Sequence, residues 1–390
     1  MVITVGLAAI WLNMACSAFS CYAGTEREDY IMATSSDYRL GEFAFPRGWF
    51  MVGESAEATN SPKAMRYLGQ DMVMYRGESG KVYVTEAYCP HMGAHLAKNT
   101  TSYIVRDGEQ IEGDSIRCPF HGWQFGPDGA CKNIPYSDFV PKAAKLKTFP
   151  VVERAGTVWI WHDPEGLEPN FDLPDFGGHY DAPGWVNWKI DFMGDLDIHP
   201  IEVVDNMADY GHFVPIHGAK DFVYFANEFK DHIVHQYYAA GHRTLVTNPD
   251  DVLTLDTWYT GPSILQSEME GTFNSFILIT HTPIEDGKIR VWHGLMVQVN
   301  DGSAPVTDEL REAALQYQEG SRLAFAQDVE IWQNKKACLN PLVIPSDGPY
   351  GKVRTWYKQF YTSRDKTPDL HKRTNGLHVT LDKRDSTQAA

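Results

Sequence analysis

Two short segments of the chain combine cysteine and histidine in a way that suits metal binding. The first reads Cys89-Pro90-His91, and the second, after a gap of 26 residues, reads Cys118-Pro119-Phe120-His121. A glycine follows closely in each case, at Gly93 and Gly122. Thiolates and imidazoles are ligands for iron, copper and zinc. The two segments therefore predict one metal centre held between two loops.

Two kinds of centre use two cysteines and two histidines. In a Rieske [2Fe–2S] cluster, two thiolates bind one iron and two imidazoles bind the other. Structural zinc takes all four side chains on one ion, and zinc fingers pair Cys with Cys and His with His along the chain. Here each segment carries one of each. We therefore predict that a [2Fe–2S] cluster is bound by Cys89, His91, Cys118 and His121, with zinc as the alternative.

A second pair of histidines, His212 and His217, stands five residues apart. On an unbroken helix five residues turn about 500°, which would leave the two rings about 140° apart. Pro215 lies between them, however, and proline interrupts a helix. Two imidazoles and one carboxylate form the facial triad of non-haem Fe(II) oxygenases. The spacing thus predicts a mononuclear Fe(II) site and leaves its carboxylate open among Asp205, Asp209, Asp328 and Glu330.

The elements that position these residues fall into two parts of the chain. Short alternating runs between about 45 and 163, such as 72–75, 82–85 and 158–161, predict a small antiparallel β domain. A connector rich in Pro and Gly, 163–184, predicts a domain boundary. Beyond it, alternation over 232–300 predicts strands. The longest helical periodicity runs over 309–336, with Asp308 as the predicted N-cap and an end near Cys338.

Composition excludes several classes of protein. A chain of 390 residues predicts two or three domains. With 34 basic against 51 acidic side chains the net charge is −17, which would repel a polyanion, so no nucleic-acid partner is expected. Six scattered cysteines do not form the disulfide framework of a small secreted domain. A reducing compartment, the cytoplasm, is the predicted location.

The N-terminus needs a separate explanation, because residues 2–19 are almost uninterruptedly apolar. No Lys or Arg precedes them, and the first basic residue is Arg27, so the positive flank of a signal peptide or anchor is missing. We interpret residues 1–31 as an extension that arises from a start site assigned too early. A membrane anchor and a cleaved signal remain the alternatives.

With both patterns in this order, the sequence resembles the oxygenase components of Rieske non-haem iron monooxygenases from about residue 45 to 361. The resemblance implies an α+β fold, with an all-β Rieske domain at 45–165 and a helix-grip-like catalytic domain with a central antiparallel sheet at 185–375. It implies Asp328 as the third iron ligand beside His212 and His217. It also implies that Asp209 links a cluster histidine of one subunit to an iron histidine of its neighbour, and hence a homotrimer.

Five segments, at 87–93, 131–136, 159–164, 328–335 and 356–361, look like the 3-ketosteroid 9α-hydroxylase oxygenase group, with the sterol 7-desaturases as cousins. This resemblance implies O₂-dependent hydroxylation of an unactivated C–H bond in a hydrophobic, steroid-like substrate. Electrons would come from NAD(P)H through a flavin and iron–sulfur reductase. The chain has no Gly-rich dinucleotide loop, so that reductase must be another polypeptide.

Other functions on the same scaffold stay open at this point. A sterol 7-desaturase, an aromatic-ring hydroxylase and a demethylase would carry the same metal sites. A Rieske electron-transfer protein would need no second metal, but respiratory Rieske proteins have an additional cysteine in each loop, where this chain has Ala94 and Phe120. Six apolar residues near the iron histidines would either line the substrate pocket or form core: Phe213, Val214, Ile216, Phe222, Tyr224 and Phe225.

Overall fold

The computed structural model describes residues 32–243, 252–270, 272–344 and 346–384, all of which belong to one compact unit. The interpretation of residues 1–31 as an extension, and the alternative of an anchor at 2–19, concern residues outside this description. Within the described ranges, no helix is both long enough and apolar enough to cross a bilayer.

The first part of the chain is built from short strands, as alternation predicted. They form three antiparallel sheets in the orders β1-β10-β9, β2-β3-β4 and β5-β6-β7-β8. The strands expected at 72–75, 82–85 and 158–161 are confirmed. The elements are β1 (Gly48–Glu54), β2 (Lys63–Tyr67), β3 (Gln70–Arg76), β4 (Val82–Glu86), α1 (Tyr103–Arg106), β5 (Ile111–Glu112), β6 (Ser115–Arg117), β7 (Gln124–Phe125), β8 (Cys131–Asn133), β9 (Val151–Arg154) and β10 (Thr157–His162).

The second part is dominated by one nine-stranded antiparallel sheet in the order β11-β18-β17-β16-β15-β14-β13-β19, with β12 also paired to β18. Together with its helices it gives the expected α+β class. The elements are β11 (Trp185–Val186), β12 (Asp191–Leu196), α2 (Ile201–Val204), β13 (Ala219–Lys230), β14 (Ile233–His242), β15 (Leu253–Thr260), β16 (Ile264–Met269), β17 (Asn274–Glu285), β18 (Lys288–Gln298), α3 (Asp308–Gln333), α4 (Tyr350–Tyr357), α5 (Thr367–Thr374) and β19 (Gly376–Asp382).

Helix α3 lies against β18 and β12. Its buried side chains include Phe325, Asp328, Val329 and Trp332, which follow the i, i+3, i+4, i+7 pattern of one helix face. This face covers the sheet, and the opposite face is in water. The fold thus places one carboxylate, Asp328, on the inner side of its longest helix.

Two details of the predicted helix were wrong. Its N-cap is Thr307 rather than Asp308, because Thr307 has an extended backbone and its hydroxyl accepts a hydrogen bond from the N–H of Leu310 at 3.3 Å. The helix ends at Gln333, with Asn334 as its C-cap, and not near Cys338. The sequence pattern could not locate this end, because the first proline or glycine after it is Pro341.

The residues just before the β domain are also part of the folded core. Tyr38 and Leu40 are buried in a cluster with Trp356 and Tyr361. The Tyr38 hydroxyl donates a hydrogen bond to the buried carboxylate of Glu202. Ordered packing therefore begins ahead of residue 45, where the predicted domain starts.

Candidate metal centres and the adjoining cavity

The two Cys/His segments form loops of the same hydrogen-bonded shape. In each loop the glycine four residues after the cysteine donates back to the cysteine carbonyl, at 2.9 Å for Gly93 to Cys89 and 3.0 Å for Gly122 to Cys118. The cysteine N–H donates to the carbonyl five residues later, at 2.9 and 2.8 Å. Both glycines have positive φ, 71° and 74°, which L-residues with a side chain rarely adopt. Two matching turns thus face each other.

Four side chains from these loops meet. Cys89 and Cys118 are buried, and the ring centroids of His91 and His121 are 4.6 Å apart. His91 also stacks on Trp123 with the rings 9° from parallel. Its Nδ1 atom is buried and has no hydrogen-bond partner among the described residues. A buried nitrogen without a partner is costly, so this atom fits a ligand of the predicted cluster.

The loops also stabilise negative charge on sulfur. The Cys89 thiol donates a hydrogen bond to the Cys118 sulfur and, together with the backbone N–H groups of Phe120 and His121, lowers the pKa of Cys118 to about 6 although burial opposes this. At Cys89 the backbone N–H groups of His91 and Met92 also favour the thiolate, but its hydrogen bond to Cys118 and its burial raise the pKa of this thiol, so only one sulfur of the pair is readily ionised without a metal. Metal binding needs thiolates, so the donor set fits a [2Fe–2S] cluster.

Cys131 lies close to this centre in the fold but has a different environment. It is buried on β8, its thiol donates to the carbonyl of Asn133 at 3.5 Å, and burial raises its pKa. We expect Cys131→Ser to keep the visible absorption of the iron–sulfur cluster and to cost at most about 1 kcal/mol of folding free energy, since a hydroxyl can make the same hydrogen bond. Absorption spectra and iron analysis, with Cys89→Ser as the colourless control, check this. A colourless Cys131→Ser protein would contradict it.

Three further side chains converge in the second part of the chain. One ligand atom each from His212, His217 and Asp328 can be chosen so that all three lie within 4.8 Å of one another. Nε2 of His217 is 3.2 Å from Oδ2 of Asp328, and the two imidazole centroids are 5.3 Å apart. The backbone forms a 3₁₀ turn over Gly211–Phe213 and no regular helix through Pro215. Both rings can therefore face the same point.

The other candidate carboxylates lie elsewhere. Glu330 is on the exposed side of α3. Asp205 is buried and forms an ion pair with Arg354, whose Nε is 3.1 Å from its Oδ1. The structure thus brings Asp328, and neither Asp205 nor Glu330, against both histidines.

Asp209 lies beside His212 but is not one of the three converging side chains. Its Oδ1 accepts a hydrogen bond from the backbone N–H of His212 at 3.3 Å, and its Oδ2 lies 3.6 Å from Nδ1 of that ring. Burial opposes the charge of this carboxylate, but hydrogen bonds from His212 and Tyr350 hold its pKa below the ordinary value. Asp209 is therefore a carboxylate that stays ionised next to an imidazole.

A cavity of about 200 Å³ opens beside the trio. Its walls come mainly from the inner face of the large sheet and from α3, and they are mostly apolar. The lining includes Val203, Met207, Phe213, Leu255, Leu265, Met269, Ile277, Ile279, Phe325 and Trp332.

For six apolar residues near the histidines the sequence left two alternatives open, the pocket lining or the core, and the structure separates them. Of the six apolar residues proposed from the sequence, Phe213 lines the cavity and the other five are not among its described lining residues. Phe222 and Phe225 instead pack into a core cluster with Tyr238, and Val214 is exposed. They are near the histidines along the chain, but the sheet turns them away from the cavity.

Several polar residues that the sequence analysis did not identify also line the cavity: Asn206, Gln236, Thr257, Ser267, His293 and Ser321. Ser321 stands seven residues before Asp328, and seven residues are close to two helical turns. That spacing was the only signal in the sequence. Nothing local marked His293, because its contact with Ser321 joins a strand to a helix.

Comparison with known proteins gives consistent matches. The family model described as the 3-ketosteroid 9alpha-hydroxylase C-terminal domain matches residues 160–361, and the Rieske [2Fe-2S] domain matches residues 48–150. A 3-ketosteroid-9-alpha-monooxygenase, oxygenase component, of Rhodococcus rhodochrous is 34% identical over 345 residues, covering 84% of this chain and 85% of the relative. Cholesterol 7-desaturase nvd of Xenopus laevis is 29% identical over 362 residues, covering 85% and 75%.

A solved structure shares the fold. Dicamba monooxygenase bound to dicamba superposes with a TM-score of 0.63 at 18% identity, covering 84% of this chain and 98% of that one.

Proposed function

Since the chain belongs to the family of 3-ketosteroid 9α-hydroxylase oxygenase components, we propose that it hydroxylates an unactivated C–H bond of a steroid-like substrate. It is the oxygenase component of a Rieske non-haem iron monooxygenase. Its electrons therefore come from a separate reductase, which takes them from NAD(P)H. The second substrate is O₂.

The observation that carries the proposal is that two different metal-binding sets occur in one fold. Two thiols and two imidazoles face each other between matching loops, and His212, His217 and Asp328 converge at the mouth of an apolar cavity. When bound, the cluster supplies stored electrons and the mononuclear iron supplies O₂ activation. An electron carrier or a zinc-binding module would not require the second set of metal-binding residues.

We assign the roles of the residues as follows. Cys89, His91, Cys118 and His121 hold the cluster. His212, His217 and Asp328 would hold the iron, and all three line the cavity in which the substrate would bind. The apolar walls exclude water and hold a rigid hydrocarbon skeleton.

We further propose a homotrimer in which Asp209 joins the two kinds of site across a subunit boundary. Its carboxylate is ionised and has one oxygen near His212, so it has lone pairs free for a second imidazole. Large apolar side chains are exposed around the cluster loops, with Met92 67%, Phe120 61% and Tyr136 62% exposed. Such a patch suits an interface. The four cysteines that the structure describes form no disulfide, which supports our proposal of a cytoplasmic location.

Turnover with a panel of steroids and aromatic acids tests the function. We expect a purified protein with a Rieske reductase, NADH and O₂ to add one oxygen atom to a steroid, since the cavity is apolar. Mass spectrometry of the products, with ¹⁸O₂ as the label, checks this. Consumption of an aromatic acid and no steroid would contradict it.

The similarity to a cholesterol 7-desaturase makes desaturation the second candidate. A desaturase would release a product two hydrogens lighter that contains no labelled oxygen. The same mass spectra therefore separate the two reactions.

A further inference from the structure

A hydrogen-bonded chain of three side chains ends in the cavity. His293, on β18, is 1% exposed. Its Nε2 is 2.9 Å from Oγ of Ser321 on α3, and its Nδ1 is 3.3 Å from Oδ2 of Asp191 on β12. His293 and Ser321 both line the cavity. The proposed metal sites use none of these three residues.

The sequence of contacts from Asp191 through His293 to Ser321 indicates which atom donates in each hydrogen bond. A carboxylate oxygen accepts, so the tautomer of His293 that satisfies both contacts has its proton on Nδ1, facing Asp191. Nε2 then has a lone pair, and the hydroxyl of Ser321 donates to it. Because its one proton is used in this way, Oγ of Ser321 presents only lone pairs to the cavity.

The position of Ser321 relates it to the proposed iron ligands. Ser321 and Asp328 are seven residues apart on α3, which separates them by roughly 10 Å along the axis and leaves them on the same face. Phe325 lies between them and also lines the cavity. A rigid substrate with its reacting carbon near Asp328 therefore has its far end near Ser321.

The same order of side chains, Asp, His and Ser, serves nucleophilic catalysis in hydrolases. That role needs backbone N–H donors beside the serine for an oxyanion. Ser321 lies inside α3 (Asp308–Gln333), where each backbone N–H is bonded to the carbonyl four residues earlier. The helix offers no oxyanion donors there, so the serine can position a ligand but is not built to attack one.

We propose that Ser321, oriented by His293 and Asp191, accepts a hydrogen bond from a hydroxyl group at the end of the substrate remote from the iron ligands. It makes the enzyme prefer a steroid with a hydroxyl there over one with a ketone, because a ketone oxygen would face the lone pairs of Oγ. This specificity rests on the proposed function, since it assumes that a steroid occupies the cavity.

Calorimetric titration of the metal-loaded protein, without reductase so that no turnover occurs, tests the preference. The probes are testosterone against androst-4-ene-3,17-dione, which differ at C17, and epiandrosterone against 5α-androstane-3,17-dione, which differ at C3. We expect one pair to show about tenfold tighter binding of the hydroxyl form. Ser321→Ala should reduce the difference to within about twofold, and Ser321→Thr, which keeps a hydroxyl, should retain it.

Asp191→Asn gives a second measurement, which would not change if Asp191 only stabilised the fold. The amide can donate to Nδ1, which moves the imidazole proton to Nε2 and frees the hydroxyl of Ser321 to donate. We expect this variant to bind the ketone probe more tightly than the wild-type protein does. An unchanged preference in both Ser321→Ala and Asp191→Asn would overturn the proposal while steroid binding remained. Failure of every steroid to bind would overturn the proposed substrate class and, with it, the proposed role of Ser321.

Discussion

Replacing His212 by alanine should abolish turnover and leave the visible absorption of the iron–sulfur cluster unchanged. His212 is one of three side chains proposed to hold the mononuclear iron, whereas the two loops proposed to hold the cluster pack into a separate hydrophobic cluster with Ile116 and Phe125. Loss of a residue that merely supports a metal site already costs 10–100-fold in affinity or activity, so we expect a loss of at least about 100-fold here. Product formation measures turnover, metal analysis measures the bound iron, and visible absorption spectra measure the iron–sulfur cluster.

His235→Ala is the matched control. Nδ1 of His235 lies 3.1 Å from Oδ1 of Asp256, and His235 belongs to neither candidate site, so iron content and turnover should stay at wild-type levels. If His212→Ala lost the cluster absorption together with the iron, the two sites would not be independent, and the proposed division of roles would fail.

Asp209→Asn should keep both metals and lower turnover by about 10–100-fold. The amide is nearly isosteric, but it removes the charge that stabilises an imidazole on each side of the proposed bridge. Rapid mixing of the reduced protein with O₂ and substrate measures single-turnover electron transfer. Glu330→Gln, which makes the same change of carboxylate to amide on the exposed side of α3, is the control. A near-normal single-turnover rate in Asp209→Asn would exclude the bridging role.

A mixed oligomer shows whether the route runs between subunits. Cys118→Ser subunits lack a cluster but keep Asp209, and Asp209→Asn subunits have the opposite defect. If electrons cross a subunit boundary, coexpression of the two variants should restore part of the activity that neither has alone. If they stay within one subunit, the mixture should remain as inactive as its components.

Much of the chemistry could be predicted because it depends on residues close together in the chain. Cys89 to His91 and Cys118 to His121 are compact motifs, and the structure folds each into one turn. His212 and His217 are likewise five residues apart. The β-rich first part and the long helix were predicted because periods of 2 and 3.6 residues can be read directly from a sequence.

The cavity could not be predicted, because its walls come from strands far apart in the chain. Which residues of β15 to β18 face inward depends on the register of the nine-stranded sheet, and a one-residue shift would reverse it. Proximity in sequence therefore could not decide between cavity and core for Phe222 and Phe225, which the structure places in the core. The hydrogen bonds that join Asp191, His293 and Ser321 span about 130 residues and left no local pattern.

Helix α3 carries both Asp328 and Ser321, so the distance between these two residues along the helix determines which carbon of the substrate is oxidised. A helix is stiff and rises about 5.4 Å per turn, so the carbon presented for oxidation is set by how many turns separate the polar anchor from the carboxylate. The anchor can be moved along α3 only in steps of three or four residues, because other positions rotate off the inner face. Retargeting the enzyme to a different carbon would therefore proceed by whole helical turns.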